Sequence, residues 1–323
     1  MERRKEVWTV GICAVVLALI LRLGILPGES GSALSFLVYL QTGRWVRYPD
    51  APVSQMATTP SETIPTEGEN FQGISLTEED LDLIEVNNLT DYSLPEQALL
   101  TSPLAWNLTE GGPKVLILHT HTTESYTRQP GEIYEEDSAY RTFNAAYNMV
   151  SIGKELAQVL EQGGISVLHD QTYHDYPSYS DSYPDARQTI ESYLEAYPSI
   201  EVVIDLHRDA LDLEQDPQLS TMATVNGEKS AQLMLVAGTD TNVSYENWEK
   251  NLAVGMKLTA VLEQMYPGIT RPIQLRQKRF NLDMTEGSLL VEVGANGDTH
   301  QEALVAVRAL GEALVAMAKG VNL

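Results

Sequence analysis

The stretch KVLILHTHTTE, residues 114–124, joins an apolar run to a cluster of polar side chains. Its apolar part, 114–118, is typical of a strand that is buried on both faces of a sheet. The polar part, 119–124, contains two histidines and one glutamate. In α/β sheets, functional groups gather at the carboxyl ends of the strands. This stretch therefore predicts an α/β fold with a functional site at the end of the strand.

Strand-like and helix-like segments alternate along the rest of the chain. Further strands are predicted at 165–168, 202–206, 221–225, 232–237, near Ile273 and at 289–293. Helices are predicted at 144–161, 186–196, 246–265 and 301–317. Such alternation favours a three-layer α/β sandwich, with a mixed, mostly parallel sheet and helices on both faces.

The first 30 residues have the pattern of a membrane anchor. Three basic residues, Arg3, Arg4 and Lys5, precede an apolar run at 7–26. About 20 apolar residues span a bilayer as a helix, and the basic flank predicts a cytoplasmic N-terminus. A cleaved signal peptide is the alternative, with a weak cleavage motif at 31–33, and a buried helix is the remaining one. Both of the first two interpretations place the rest of the chain outside the cytoplasm.

The remainder divides into three segments. Residues 31–70 are predicted to be a juxtamembrane segment and linker, because 49–70 are rich in Pro, Thr, Ser and Glu without apolar periodicity. Residues 71–110 are predicted to form a leading arm. Residues 111–323 hold the alternating pattern and are predicted to form the catalytic domain.

Charge and cysteine content exclude several functions. The formal net charge is −24 and no local basic patch is visible, which argues against binding to nucleic acid. The single cysteine, Cys13, lies in the N-terminal apolar run. The part beyond that run therefore has neither a thiol nucleophile nor thiol ligands, and any metal must use His, Asp and Glu.

Three predicted strand ends carry residues that fit a zinc hydrolase. Such a site uses three protein ligands and keeps one position open for water. His121 and Glu124 have the spacing His-x-x-Glu, and His207 from a neighbouring strand supplies a third ligand. A separate carboxylate is needed to take a proton from water and pass it to the leaving group. Glu292, at the third strand end, is the candidate.

Other residues near these positions have less certain roles. His119 alternates with His121, so on an extended backbone the two point in opposite directions, and His119 is either an alternative ligand or a support behind the ligands. Asp205 lies on the side of His207 and is expected to orient an imidazole. Arg208 is a candidate for holding a substrate carboxylate. Further substrate contacts are expected from the segment 279–283, through Asn281 and Asp283.

The remaining histidines and a group of tyrosines receive weaker predictions. Three histidines are expected to be ordinary loop residues without partners, namely His169, His174 and His300. Four tyrosines crowd the loop after the second strand, where they either line a glycan or peptide groove or simply pack together, namely Tyr173, Tyr176, Tyr179 and Tyr183.

Four motifs in order resemble the stage II sporulation protein P family. They are HTHTTESY at 119–126, VIDLHRDA at 203–210, RFNLD at 279–283 and LLVEVG at 289–294. The resemblance implies a fold similar to the zinc-dependent N-acetylmuramoyl-L-alanine amidases. It also implies cleavage between the lactyl group of muramic acid and L-alanine, and cleavage of the peptide cross-link. The implied role is peptidoglycan remodelling during engulfment of the forespore, with sporulation proteins D and M as partners.

The resemblance assigns roles to the same residues and exposes one departure. It implies that His121 and His207 are zinc ligands and that Glu292 is the catalytic glutamate. The related amidases place a glutamate ligand at the start of the following helix, where this chain has Phe, Asn and Ala at 143–145. Glu124 must then supply the carboxylate, with three fallback residues in the same connection, Glu135, Glu136 and Asp137.

Two alternatives remain open at the level of sequence. A zinc carboxypeptidase has similar ligands, but it needs a pair of arginines for the terminal carboxylate. A metal-free module that binds peptidoglycan or a partner would keep the fold without the chemistry. The sequence does not decide whether the amidase bond, the cross-link or both are cut.

Overall fold

A seven-stranded mixed sheet organises the part of the chain that the structure describes. The computed structural model describes residues 75–104, 106–109, 111–136, 138, 140–211, 218–241 and 243–320. These residues fall within one compact unit, Asn70–Leu323. The predicted anchor at 1–30 and linker at 31–70 lie outside the described residues. Across the described ranges, no helix has both the length and the apolar character needed to cross a membrane.

The sheet has the order β1-β8-β7-β9-β4-β2-β3, and β5 and β6 pair separately. All neighbouring strands in it are parallel except β7 and β9. The mixed, mostly parallel sheet is therefore confirmed. The strands are β1 Val86–Asn88, β2 Val115–Leu118, β3 Val167–His169, β4 Val202–Asp209, β5 Ala223–Val225, β6 Glu228–Ser230, β7 Leu233–Gly238, β8 Ile273–Arg276 and β9 Leu289–Ala295.

Helices cover both faces of the sheet, as the sequence predicts. Because side chains alternate along a strand, Ile117 and Ile204 belong to the core cluster that contains residues of α2, α4 and α5, whereas Leu116 and Leu118 belong to the cluster that contains residues of α3. The helices are α1 Glu96–Thr101, α2 Met149–Gln162, α3 Ser182–Ala196, α4 Trp248–Met265 and α5 His300–Ala318.

Three local features differ from the sequence prediction. The helix predicted from residue 144 begins at Met149, because the Asn148 side chain accepts a hydrogen bond from Val150 N and caps it there. The strand predicted at 202–206 continues to Asp209, so His207 lies within the strand. The hairpin of β5 and β6 was not predicted, although its turn is Asn-Gly at 226–227 with positive φ at both residues, the commonest signal for a tight hairpin.

The described part of the predicted leading arm is built into the domain. It contains a 3₁₀ helix at Glu78–Leu83, strand β1 and helix α1. Strand β1 pairs in parallel with β8 and forms one edge of the sheet. The buried Lys257 of α4 donates hydrogen bonds of 2.6 Å to the carbonyl oxygens of Leu99 and Leu100 near the end of α1.

We expect Lys257→Ala to lower the free energy of unfolding by about 2 kcal/mol or more, because two buried carbonyl oxygens lose their donor. Urea denaturation measures the change. Lys250→Ala is the matched control, since Lys250 is exposed and its pair with Glu286 should contribute less than about 1 kcal/mol. Equal losses in the two variants would show that the Lys257 contact does not hold α1 in place.

Candidate active site

Strands β4 and β9 bring His207 and Glu292 together. The two residues are register partners on neighbouring parallel strands, so their side chains leave the same face of the sheet. Asp205 lies two residues before His207 and therefore shares that face. Asp205 is in turn the register partner of Leu118, the last residue of β2, so the polar turn at 119–124 begins directly beside it.

Asp205 fixes the turn at 119–124. Its two carboxylate oxygens accept hydrogen bonds from Thr120 N at 2.8 Å and from Thr120 Oγ1 at 2.6 Å. The turn places the His121 ring 5.1 Å from the His207 ring and nearly perpendicular to it. Glu124 Oε2 lies 3.5 Å from His207 Nδ1. The structure thus brings together the three residues predicted as zinc ligands.

His207 is buried between two carboxylates. Asp205 Oδ2 lies 3.1 Å from Nε2, without hydrogen-bond geometry, and Glu124 lies on the Nδ1 side. Burial alone would lower the pKa of His207, but the carboxylates of Asp205 and Glu124 outweigh it and raise that pKa well above its ordinary value. This pocket therefore favours a positive charge at the imidazole.

Arg208 and His207 keep Glu124 ionised. Burial would raise the pKa of Glu124, but Arg208 and His207 lower it well below its usual range. Glu124 also accepts hydrogen bonds from Arg208 N at 3.2 Å and from Arg141 Nη2 at 3.3 Å. Glu124 is buried, whereas the fallback carboxylates Glu135 and Glu136 are exposed, and Asp137 lies outside the described residues.

The structure places the Arg208 side chain inside the protein. This side chain is 3% exposed, and its guanidinium donates to Ser125 O at 3.0 Å and to Tyr140 O at 3.1 Å. This buried guanidinium braces the loops around Glu124, while its Nη1 atom has no hydrogen-bond partner, and a contact with a substrate carboxylate stays a prediction. The sequence did not reveal this, because the direction of an arginine at a strand end depends on loops distant in the chain.

The other two predicted substrate residues brace the loop 279–283 against α3. Asp283 accepts hydrogen bonds from Arg187 of α3 at 2.9 Å and from Arg279 at 3.0 Å. Asn281, which has a positive φ of 56°, donates from its amide group to Tyr183 O at 2.9 Å. Their polar groups are thus used within the protein, and a contact with substrate stays a prediction.

His119 lies against His169 and the backbone of Leu206. Its buried ring lies with Nε2 2.9 Å from His169 Nε2 and Nδ1 3.3 Å from Leu206 O. A Cβ at Gly153 of α2 would come within 2.6 Å of both rings, so the glycine makes room for this pair. Both ring nitrogens of His119 thus have neighbours, and its role as a support or as an alternative ligand stays a prediction.

The prediction that the other histidines lack partners is wrong. His169 contacts His119. His174 is buried, with Nδ1 2.8 Å from His119 O and Nε2 2.9 Å from Thr189 Oγ1. His300 Nε2 lies 2.6 Å from Ser151 Oγ, which links the first turns of α5 and α2. These contacts join distant segments and leave no periodic signal in the sequence.

Sequence reasoning missed Arg141 entirely. An isolated antiparallel bridge pairs Arg141 with Glu124. Its guanidinium donates to the buried Asp175 at 2.8 Å and lies 4.8 Å from the centre of the Tyr179 ring. The only available signal was one basic residue in a strongly acidic stretch, which is not specific.

The site has polar atoms that no protein group satisfies. Within the described residues, His121 Nδ1, His207 Nε2 and Glu292 Oε2 are buried without a hydrogen-bond partner. Such atoms in a native protein call for an ion, water or catalytic role. Two imidazoles and the carboxylate of Glu124 fit zinc by donor type. Their spacing is not that of a formed coordination shell, since no group of three His, Cys, Asp or Glu in the described ranges is arranged to hold a metal.

Glu292 is poised to hold a proton. Burial raises its pKa to about 8, and the Glu124 charge adds to the effect, while His207 opposes it. A carboxyl group with a pKa near neutrality suits general acid–base catalysis.

The Glu292 pKa predicts a dependence of stability on pH. Between pH 4.5 and about 8 the folded protein holds a proton that the unfolded chain has released, so this group makes stability fall as the pH rises. Glutamine has no such proton to lose. In chelator, Glu292→Gln should therefore melt close to the parent at pH 5 and at a higher temperature than the parent at pH 8. Thermal melts measure this difference, with Glu286→Gln at an exposed glutamate as the control. A difference in melting temperature that is the same at pH 5 and pH 8 would contradict the raised pKa of Glu292.

Comparison with known proteins identifies relatives of the chain. A profile of the family described as stage II sporulation protein P matches residues 50–315. The stage II sporulation protein P of Bacillus subtilis (strain 168) is 27% identical over 208 residues, which are 60% of this chain and 48% of that protein. The chain thus matches about half the length of this relative.

Two of the solved structures that the chain matches are N-acetylmuramoyl-L-alanine amidases. The amidase of Nostoc punctiforme has a TM-score of 0.36 and 13% identity, covering 65% of this chain and 99% of the other. The amidase of Clostridium difficile 630 has a TM-score of 0.36 and 16% identity, covering 65% of this chain and 100% of the other.

Proposed function

This chain belongs to the stage II sporulation protein P family, and on that premise we propose that it is a zinc-dependent hydrolase of peptidoglycan. The bond cut is the amide between N-acetylmuramic acid and L-alanine, and the peptide cross-link is a second candidate bond. The observation that carries the proposal is the meeting of His121, Glu124 and His207 beside Glu292, with buried donor atoms left unpaired.

His121, Glu124 and His207 would hold the zinc. When bound, zinc polarises a carbonyl group and makes water acidic enough to attack it near neutral pH. Asp205 supports this set by anchoring the turn that carries His121 and by lying against the His207 imidazole. Arg208 keeps the Glu124 carboxylate charged, which is the form that binds a metal.

Glu292 handles the proton. In its ionised form it takes a proton from the attacking water, and it then gives that proton to the departing amide nitrogen. Glu292 shares a face of the sheet with His207, so it lies beside the proposed ligands and is not needed as one of them. A neighbouring cation would lower the raised pKa of Glu292, so that the ionised form is available at neutral pH.

The carboxypeptidase alternative is disfavoured because Arg208 makes hydrogen bonds within the protein. That activity needs arginines that are free to clamp a terminal carboxylate, and Arg208 is buried and bonded to Ser125 O and Tyr140 O. A metal-free binding module is disfavoured by Glu292, because its Oε2 atom is buried without a hydrogen-bond partner, which is costly without a function.

The proposal extends to the cellular setting. We place the catalytic domain outside the cytoplasm, held at the cell membrane by residues 1–30. Peptidoglycan is the substrate, and sporulation proteins D and M are the proposed partners during engulfment. No nucleic-acid partner is proposed, because the chain carries a formal net charge of −24.

The test is digestion of purified peptidoglycan by the purified chain, with and without chelator, followed by mass analysis of the released fragments. We expect stem peptides with a free L-alanine amino group, released only when metal is present. Peptides cut within the cross-link would assign the second bond instead. A folded, zinc-free chain that releases nothing would replace the hydrolase with the binding module.

A further inference from the structure

Three large aromatic side chains lie exposed on one side of the candidate active site. They are Phe143, Tyr176 and Tyr179, with exposed fractions of 42%, 59% and 58%. We call them the aromatic strip. Aromatic side chains usually bury most of their surface, and a group of exposed ones near a site is typical of a binding surface.

The aromatic strip is held in place by the surrounding protein. Phe143 and Tyr176 pack edge to face, with ring centres 5.0 Å apart at 85°. Tyr173 stabilises this pair, because its hydroxyl group donates to Phe143 O at 2.9 Å and accepts from Asn148 Nδ2 at 3.3 Å. The exposed rings are therefore presented in a fixed arrangement, which lowers the entropy lost when a ligand binds.

The aromatic strip continues into the proposed ligand set. The Tyr179 ring stacks on His121 with centres 4.5 Å apart and an angle of 10° between the planes. Arg141 lies against the same tyrosine and is two residues from Phe143. An extended ligand that binds along the aromatic strip would therefore reach the proposed zinc ligands.

The charge around the aromatic strip selects against anionic ligands. The segment 170–185, which carries Tyr176 and Tyr179, contains four aspartates and no lysine or arginine. Arg141 is the nearby cation, and it is paired with Asp175 and Glu124. The strip therefore offers apolar ring faces in an acidic setting, which suits a neutral ligand and repels the free carboxylates of a stem peptide.

We propose that the aromatic strip is a subsite for the N-acetylated sugar rings of the glycan strand. Such rings are neutral, and their apolar C–H faces match flat aromatic side chains. This inference rests on the proposed function and adds to it the part of the substrate that is recognised beside the cleaved bond. An exposed apolar patch next to the site is also open to a second copy of the chain or to a stem peptide, and the experiment separates these occupants.

The test measures binding of a soluble hexamer of N-acetylglucosamine to the full chain by calorimetry, in chelator. No bond is cut under these conditions, so the result does not depend on the proposed hydrolysis. We expect the parent chain to bind the hexamer. The double variant Phe143→Ala, Tyr176→Ala should bind at least about tenfold more weakly, because two stacking surfaces are lost.

Two control variants define the role of the rings. Tyr176→Phe keeps the ring and should bind within about twofold of the parent. Leu89→Ala removes an apolar side chain that is 55% exposed next to β1, at the opposite edge of the sheet, and should bind like the parent. On cleavable peptidoglycan, the double variant should raise KM and leave kcat nearly unchanged.

Three results would overturn the proposal. The first is a parent chain that does not bind the hexamer although it hydrolyses peptidoglycan. The second is a folded double variant that binds as tightly as the parent. The third is a double variant that instead loses self-association or the binding of a free stem peptide, which would make the aromatic strip a protein or peptide surface. Hexamer binding by a chain that hydrolyses nothing would keep the subsite and remove the proposed function.

Discussion

Replacement of His207 by alanine is expected to abolish zinc binding and hydrolysis together. His207 is the residue on which the other groups of the site converge, with Glu124 at its Nδ1, Asp205 at its Nε2 and His121 across the ring. Loss of a residue that only supports a ligand costs roughly 10- to 100-fold in metal affinity, so loss of a ligand should cost more. Zinc content after dialysis and release of stem peptides measure the two effects.

The matched control is His169→Ala. His169 is a histidine on the same sheet, and it contacts His119 rather than the proposed ligands. This variant should keep its zinc.

Because His207→Ala also leaves the buried carboxylates of Asp205 and Glu124 without their partner, it should lower the free energy of unfolding by about 3–5 kcal/mol. A folded His207→Ala chain with full zinc content would exclude His207 as a ligand.

The position of the site was accessible from the sequence because parallel strands impose it. Residues near the carboxyl ends of buried parallel strands meet at one edge of a sheet. His121, His207 and Glu292 could therefore be expected together although they are up to 171 positions apart, from 121 to 292. The separation of His119 from His121 was expected from alternation along an extended segment, but residues 120–123 form a turn, so that argument does not apply.

The parts that the sequence did not yield depend on contacts between distant loops. Arg208 was expected to face substrate, yet Ser125 O and Tyr140 O hold it inside. His169 was expected to be an ordinary loop residue, yet it ends β3 and contacts His119. No periodicity or spacing encodes which distant carbonyl oxygen or imidazole a side chain meets.

The aromatic residues near the site illustrate an intermediate case. The crowding of tyrosines after the second strand was visible, but both a groove and a packed loop fitted it. The structure divides the group: Tyr173 is bonded to Phe143 O and supports the loop, whereas Tyr176 and Tyr179 remain more than half exposed. The exposure of each tyrosine decides whether it supports the loop or is available to bind a ligand. No pattern in a single sequence gives that exposure.

Glu292→Gln is expected to lower the rate of hydrolysis by about a thousandfold while zinc stays bound, which separates the acid–base step from metal binding. General acid–base groups contribute about 10²- to 10⁴-fold, and glutamine keeps the shape of the side chain without accepting the proton. Because Glu292 lies beside His207 on the neighbouring strand but is not needed as a ligand, the zinc content should match that of the parent.

The readouts for Glu292→Gln are zinc content, kcat and KM on the same peptidoglycan, with Glu286→Gln as the control at an exposed glutamate. A loss confined to kcat would mean that Glu292 acts in the transition state and not in substrate binding. If the variant lost zinc and activity together, Glu292 would be a zinc ligand. Glu124 would then become the candidate for the general base. Full activity would require another proton acceptor. Asp205 lies on the same face of the sheet, but its hydrogen bonds from Thr120 and its lowered pKa make it a poor one.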